Sequence, residues 1–118
     1  MKIISTVLIL LTSFNLSFQD NAKIIGDWKG ALDVQGTSLP LIIHVTEKEG
    51  KLLATMDSPE QGAYGLAFDT VSFKEDVLKL SMTSINGTYE GKMKEGKFEG
   101  KWSQGGMSLD LNLEKEKK

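Results

Sequence analysis

From Gly26 onward the apolar residues of this chain recur at every second position, the period of a β-strand and not of a helix. In "SLPLIIHVTE" one face carries Leu39, Leu41, Ile43 and Val45; in "VLKLSMT" it carries Leu78, Leu80 and Met82. In "MSLDLNLE" Met107, Leu109, Leu111 and Leu113 alternate with Ser108, Asp110, Asn112 and Glu114. Glycine-bearing turns punctuate these runs at "VQGTS", "EKEGK", "INGT", "KEGK" and "QGG". The pattern predicts eight strands, at about 26–34, 38–47, 51–57, 66–73, 77–83, 87–93, 97–103 and 107–114. Most connections are too short for parallel crossovers, so consecutive strands pair antiparallel. The expected fold is all-β: an eight-stranded up-and-down meander that closes into a small, lipocalin-like barrel, with a two-sheet sandwich as the alternative.

The spacing Gly-x-aromatic-x-Gly occurs in "GDWKG", "GTYEG" and "GKFEG". Alternation puts Trp28, Tyr89 and Phe98 on the inner face beside Gly30, Gly91 and Gly100, where a missing side chain leaves room for a ring and lets the strand coil. "QGTSLPLII" and "QGGMSLDLNL" echo each other in the same way, as repeated hairpin chemistry.

The first residues, "MKIISTVLILLTSFNLSFQD", read differently. One early lysine precedes an apolar run over residues 3–11, too short to span a bilayer and suited to the core of a secretory signal peptide. Residues 1–20 are therefore expected to be a leader, cut between Ser17 and Ala22. Residues 24–115 form a single barrel domain and residues 116–118 a charged tail. The mature domain is expected to be secreted or periplasmic, without membrane association once the leader is removed.

The 14 basic residues are all lysines, set against 16 acids. Without arginine the chain lacks the bidentate fork that nucleic-acid readers favour, so no nucleic-acid partner is expected. No cysteine is present, which excludes disulfides, thiolate nucleophiles, cysteine zinc sites and a lipidated amino-terminal cysteine. No cofactor or metal is expected. His44, the only histidine, falls on the outward face of its strand, with no acid or serine beside it in a triad pattern. Asp27, Asp33, Glu90, Glu99 and Asp110 read as solvent-side acids interleaved with lysines.

The stretch "DSPEQGAYG" stands apart. Ser58, Pro59 and Gln61 fit a capping box, with Ser58 as N-cap, Pro59 as first residue, Gln61 reaching back and Gly62 ending one helical turn. Asp57 is positioned to accept N–H groups of the same turn. Gln61 and Tyr64 are left to line a surface or pocket mouth. Trp28 and Trp102 are inner-face residues, either core or the lining of a ligand-holding interior.

"GDWKGALDVQGTSLPLIIHV", "ATMDSPEQGAYGL", "YEGKM" and "GKWSQGGMSLDLNL", in this order, resemble the amino-terminal accessory β domain that precedes the catalytic domain of secreted bacterial α/β-hydrolases of the esterase type. The likeness spans about residues 26–114. That family's serine sits in a Gly-x-Ser-x-Gly elbow, which this sequence does not contain, so no catalytic residue is implied. The resemblance implies a non-catalytic domain that binds a hydrolase in trans or an extended substrate. Trp28, Asp57, Ser58, Gln61, Gly62, Trp102 and Gln104 match the pattern; all of these except Gly62, together with Tyr64, are the seven candidate binding residues. "GDW" is also similar to the Gly-x-Trp of lipocalin-type barrels, where a late basic residue closes over the tryptophan; here that residue is Lys115. This likeness implies a carrier of a small apolar ligand. An enzyme would instead have to be centred on Asp57, Glu60 and His44.

Overall fold

The computed structural model describes residues 21–116, and the expected leader lies outside the described residues, as do the last two residues of the charged tail. Ten strands run through this part of the chain: β1 (Gly26–Val34), β2 (Thr37–Lys48), β3 (Lys51–Ser58), β4 (Ala63–Ala67), β5 (Thr70–Lys74), β6 (Val77–Met82), β7 (Gly87–Lys94), β8 (Lys97–Gln104), β9 (Met107–Asp110) and β10 (Leu113–Lys115). Every pairing is antiparallel, and all strands belong to one sheet ordered β4-β3-β2-β1-β10-β8-β7-β6-β5, with β9 on β8. The two ends of that order, β4 and β5, are joined by only Phe68 and Asp69, so the sheet must curl round to bring its edges together. The result is a meander wrapped into an incompletely closed barrel, not a sandwich of two sheets.

Two of the eight expected strands are each divided. The expected strand 66–73 is a corner between β4 and β5. Phe68 N–H donates to Ala54 O on β3, and the next amide, Asp69 N–H, donates to Ser81 O on β6. Adjacent residues thus bond to strands on opposite sides of the seam. Phe68 and Phe73 are both buried although they are five positions apart, which no straight strand allows. Asp69 fixes the corner: its Oδ2 accepts from Thr83 N–H at 2.5 Å and from Thr83 Oγ1–H at 2.6 Å, contacts that hold its carboxyl below the usual range.

The expected strand 107–114 is interrupted at Leu111–Asn112. β9 and β10 keep one register against β8, Lys101 opposite Asp110 and Phe98 opposite Leu113, but only β10 also pairs with β1. Across the break Leu111 N–H donates to Gly100 O, while Gly100 N–H donates to Asn112 Oδ1. The Asn112 carbonyl presses on Gly30, where any Cβ would collide with it. Gly30 therefore makes room for the closing strand and not for the Trp28 ring.

The interior is apolar and packed. Trp28 and Phe98 lie 4.7 Å apart between ring centroids, and Phe73 meets Phe98 edge-on at 6.1 Å. Trp28 Nε1–H donates to Ile24 O at 2.9 Å, so the residue ahead of β1 seals this end. Opposite Trp28 in the β1–β10 ladder stands Lys115, whose Nζ is 5.9 Å from the indole centroid. In the middle, Tyr89 covers the paired glycines Gly91 and Gly100, and its hydroxyl donates to Leu111 O at 2.9 Å. A side chain on either glycine would strike the phenol.

Candidate functional site

The wall opens at the end of the barrel opposite Trp28. Four residues further along β1 and β8 stand Leu32 and Trp102, and with Leu39, Leu41 and Met56 they line an apolar cup of about 570 Å³. That volume lies within the range of small-molecule sites. Ile85, Met107 and Leu109 extend its wall. A hollow of about 600 Å³ on the outside of β1 and β10 is bordered instead mainly by charged residues, Lys29, Glu114, Lys115 and Glu116.

The cup gathers three of the seven candidate residues: Gln61, Trp102 and Gln104. Trp102 is buried, packs edge-on to Phe68 at 6.3 Å, and donates its Nε1–H to Gln104 Oε1 at 2.9 Å. Gly87 leaves the space that the indole fills, for a Cβ there would lie 2.7 Å from the ring. Gln61 reaches the rim from the turn after β3. That turn is a 3-10 helix, Pro59–Gln61, with Ser58 as N-cap, proline inside its first turn, and Gly62 in the left-handed conformation at its end.

The capping box itself does not form. Ser58 makes no side-chain cap bond; its buried hydroxyl donates to Gln61 Oε1 at 2.7 Å. A 3-10 turn of three residues is too tight for the reciprocal pair, so the two side chains bond each other. Trp28 lies outside the cup, as core, and Tyr64 projects from β4 with 65% of its surface exposed.

Asp57 belongs to a second constellation, on the outer face of the sheet. Its Oδ1 accepts not from its own turn but from Gly65 N–H at 2.8 Å, eight residues on. Its Oδ2 accepts from His44 Nε2–H at 2.8 Å, while His44 Nδ1–H donates to Asp27 Oδ1 at 2.7 Å. His44, expected to be a lone surface histidine, thus has an acid at each ring nitrogen. The imidazole lies between two carboxylates, and both ring nitrogens donate only when it is protonated. The bond to Asp57, then that to Asp27, raises its pKa above the ordinary imidazole value. Asp57 in turn is held below the usual carboxylate value, first by His44 and then by the Gly65 N–H.

This arrangement could have been found by register. The two-residue turn Gln35-Gly36 places Val34 opposite Thr37, and counting back along the hairpin sets Asp27 opposite His44. The turn at Glu49-Gly50 likewise places Asp57 one pair diagonal to His44. Glu60 takes no part in the cluster. The carboxylates approach opposite ends of the ring, and among the described residues no group of three His, Cys, Asp or Glu side chains converges to hold a metal. No helix among the described residues is long and apolar enough to cross a membrane.

No family model, no curated protein and no solved structure matches this chain.

Proposed function

We propose that this is a secreted, non-catalytic binding domain that takes a small apolar ligand into the open end of the barrel. One observation carries the reading: an apolar cup of about 570 Å³ penetrates to the buried Trp102 while the Trp28 end is closed by packed rings. A barrel with one sealed and one open end is a container for one small molecule. The Lys115 ammonium over Trp28 favours the lipocalin-type likeness on the same grounds, because it ties the last strand to the first across the closed end.

The His44 cluster supports a structural role over a catalytic one. A ring whose two nitrogens both face carboxylates, at 2.7 and 2.8 Å, presents neither of them to a substrate as a base. Turnover of short acyl esters by the purified mature domain, surviving removal of contaminants, would end the non-catalytic reading.

The test of the cup is titration of the delipidated protein with the neutral lipophilic dye Nile red, with native mass spectrometry for stoichiometry. Saturable binding of one molecule per chain, weakened by Leu41→Asp, is expected. Absence of saturable binding, or binding unaffected by Leu41→Asp, removes the proposal.

The second reading, docking on a hydrolase in trans, is favoured by Tyr64, a large exposed ring on the edge strand β4. It predicts that Tyr64→Ala abolishes association with the partner and leaves dye binding unchanged.

A further inference from the structure

The polar groups around the cup are unusual in kind. Among the described residues that line it there is no lysine, histidine, aspartate or glutamate; apart from backbone, its polarity comes from Gln61 and Gln104, with the Trp102 indole. The indole Nε1–H is a donor only, so its 2.9 Å bond requires Gln104 to turn its carbonyl oxygen toward Trp102. The Gln104 amide NH₂ is then left over, at the cup. Gln61 repeats the arrangement, since its Oε1 accepts from the buried Ser58 hydroxyl and its NH₂ remains. The cup therefore presents two neutral amide NH₂ groups, each on a side chain whose oxygen is held by one bond from the protein.

Resting on the reading of the cup as a ligand site, we propose that its ligands are neutral apolar molecules carrying a hydrogen-bond acceptor, such as an ester, ketone or tertiary amide, held by the Gln104 NH₂. A carboxylate would accept the same bond, but it would leave water for a site with no cation to compensate its charge. An ammonium offers no acceptor to the Gln104 N–H, and its charge would leave water for a site lined by no aspartate or glutamate. A neutral carbonyl meets neither penalty.

The experiment is displacement of Nile red from the delipidated full chain at pH 8 by three competitors that share a ten-carbon chain: methyl decanoate, decanoate and decylammonium. Methyl decanoate is expected to displace the dye at a concentration about tenfold or more below that of either ion, because each ion would bring a charge that no residue of the cup compensates. Gln104→Glu keeps an acceptor for Trp102 while removing the NH₂ and adding a negative charge. It is expected to weaken methyl decanoate about tenfold and to strengthen decylammonium, with an unchanged thermal midpoint.

Equal or better displacement by decanoate overturns the selectivity and leaves the cup standing. A Gln104→Glu protein with an unaltered order of competitors overturns the role of Gln104. Failure of the dye itself to bind removes the cup and this proposal together.

Discussion

Asp57 links His44 to the loop that follows it: Oδ2 accepts from the imidazole at 2.8 Å and Oδ1 accepts from Gly65 N–H at 2.8 Å. One carboxylate thus pins the return of the chain from the Pro59–Gln61 turn into β4 to the outer face of β2. The same return carries Gln61 to the rim of the cup and Leu66 into its wall. Although the His44 cluster faces away from the interior, it sets the position of two residues that shape the opening.

Asp57→Asn should therefore act on stability first. The amide can still accept from Gly65, but it no longer carries the charge that holds the imidazolium. A charge-assisted bond at a partly exposed site is worth about 1 kcal/mol after solvent screening. In a domain of this size that corresponds to a fall in thermal midpoint of about 4–8 °C. Calorimetry decides it, and an unchanged midpoint would show that the link holds nothing.

The pH dependence follows from the two shifts in the cluster. His44 is raised above its ordinary value of 6.5, so its contribution is complete below that pH and is lost as pH rises through the folded-state value. Asp57 is lowered from 3.8, so its contribution is complete above that pH and is lost as pH falls through the folded-state value. Between these limits, from about pH 4 to 6.5, stability should reach a plateau. His44→Gln should flatten the decline on the alkaline side, as read from urea midpoints across pH. A decline of the same steepness in the variant would assign it to another group.

The fold was legible because its signals were local. Alternation located β1–β3 and β6–β8 to within a residue or two, since each run buries one face and is closed by a glycine turn. The corner at Phe68–Asp69 was written in the same code, because two phenylalanines five apart cannot both face inward along one strand. It went unread because "LAFDTVSF" has no glycine or proline at its bend; the bend is held by Thr83, distant in sequence.

The break at Leu111–Asn112 left no trace in the periodicity, since Leu109, Leu111 and Leu113 keep one phase. Its cause is the closing contact with Gly30, a long-range effect. For the site, Trp102 was placed inside by parity, whereas the Asp27–His44–Asp57 set needed the register of two hairpins. The cup needed the barrel to close.

Tyr89 supplies a test of the middle of the barrel. Its hydroxyl is buried and satisfied by Leu111 O, and burial pushes its phenol above the usual value. Tyr89→Phe leaves that carbonyl without the hydroxyl and should cost about 1–2 kcal/mol in a urea titration. Because the folded state disfavours the phenolate, wild-type stability should also fall as pH rises above about 10. Tyr89→Phe should lack that part of the alkaline loss. Equal stability of the two proteins at neutral pH would mean that the bond is replaced by water.

Gly87 offers the most direct handle on the cup without touching its lining. A Cβ at this position would lie 2.7 Å from the Trp102 ring and 3.3 Å from Ile85, both of which border the cup. The indole cannot withdraw freely, because it is held by Gln104 and packed against Phe68. Gly87→Ala should therefore cost about 1–3 kcal/mol, as overpacking does, and displace the indole at the wall of the cup. Dye affinity should fall with it, and the tryptophan emission spectrum should shift. Gly96→Ala is the matched control: it lies in a turn where a Cβ meets nothing within 4 Å, so its cost is one of backbone conformation alone. Gly96→Ala should lower stability while leaving dye affinity intact. If both variants lose affinity in proportion to stability, the dye is reporting global unfolding. If Gly87→Ala alone loses it, the Trp102 end of the barrel is where the dye resides.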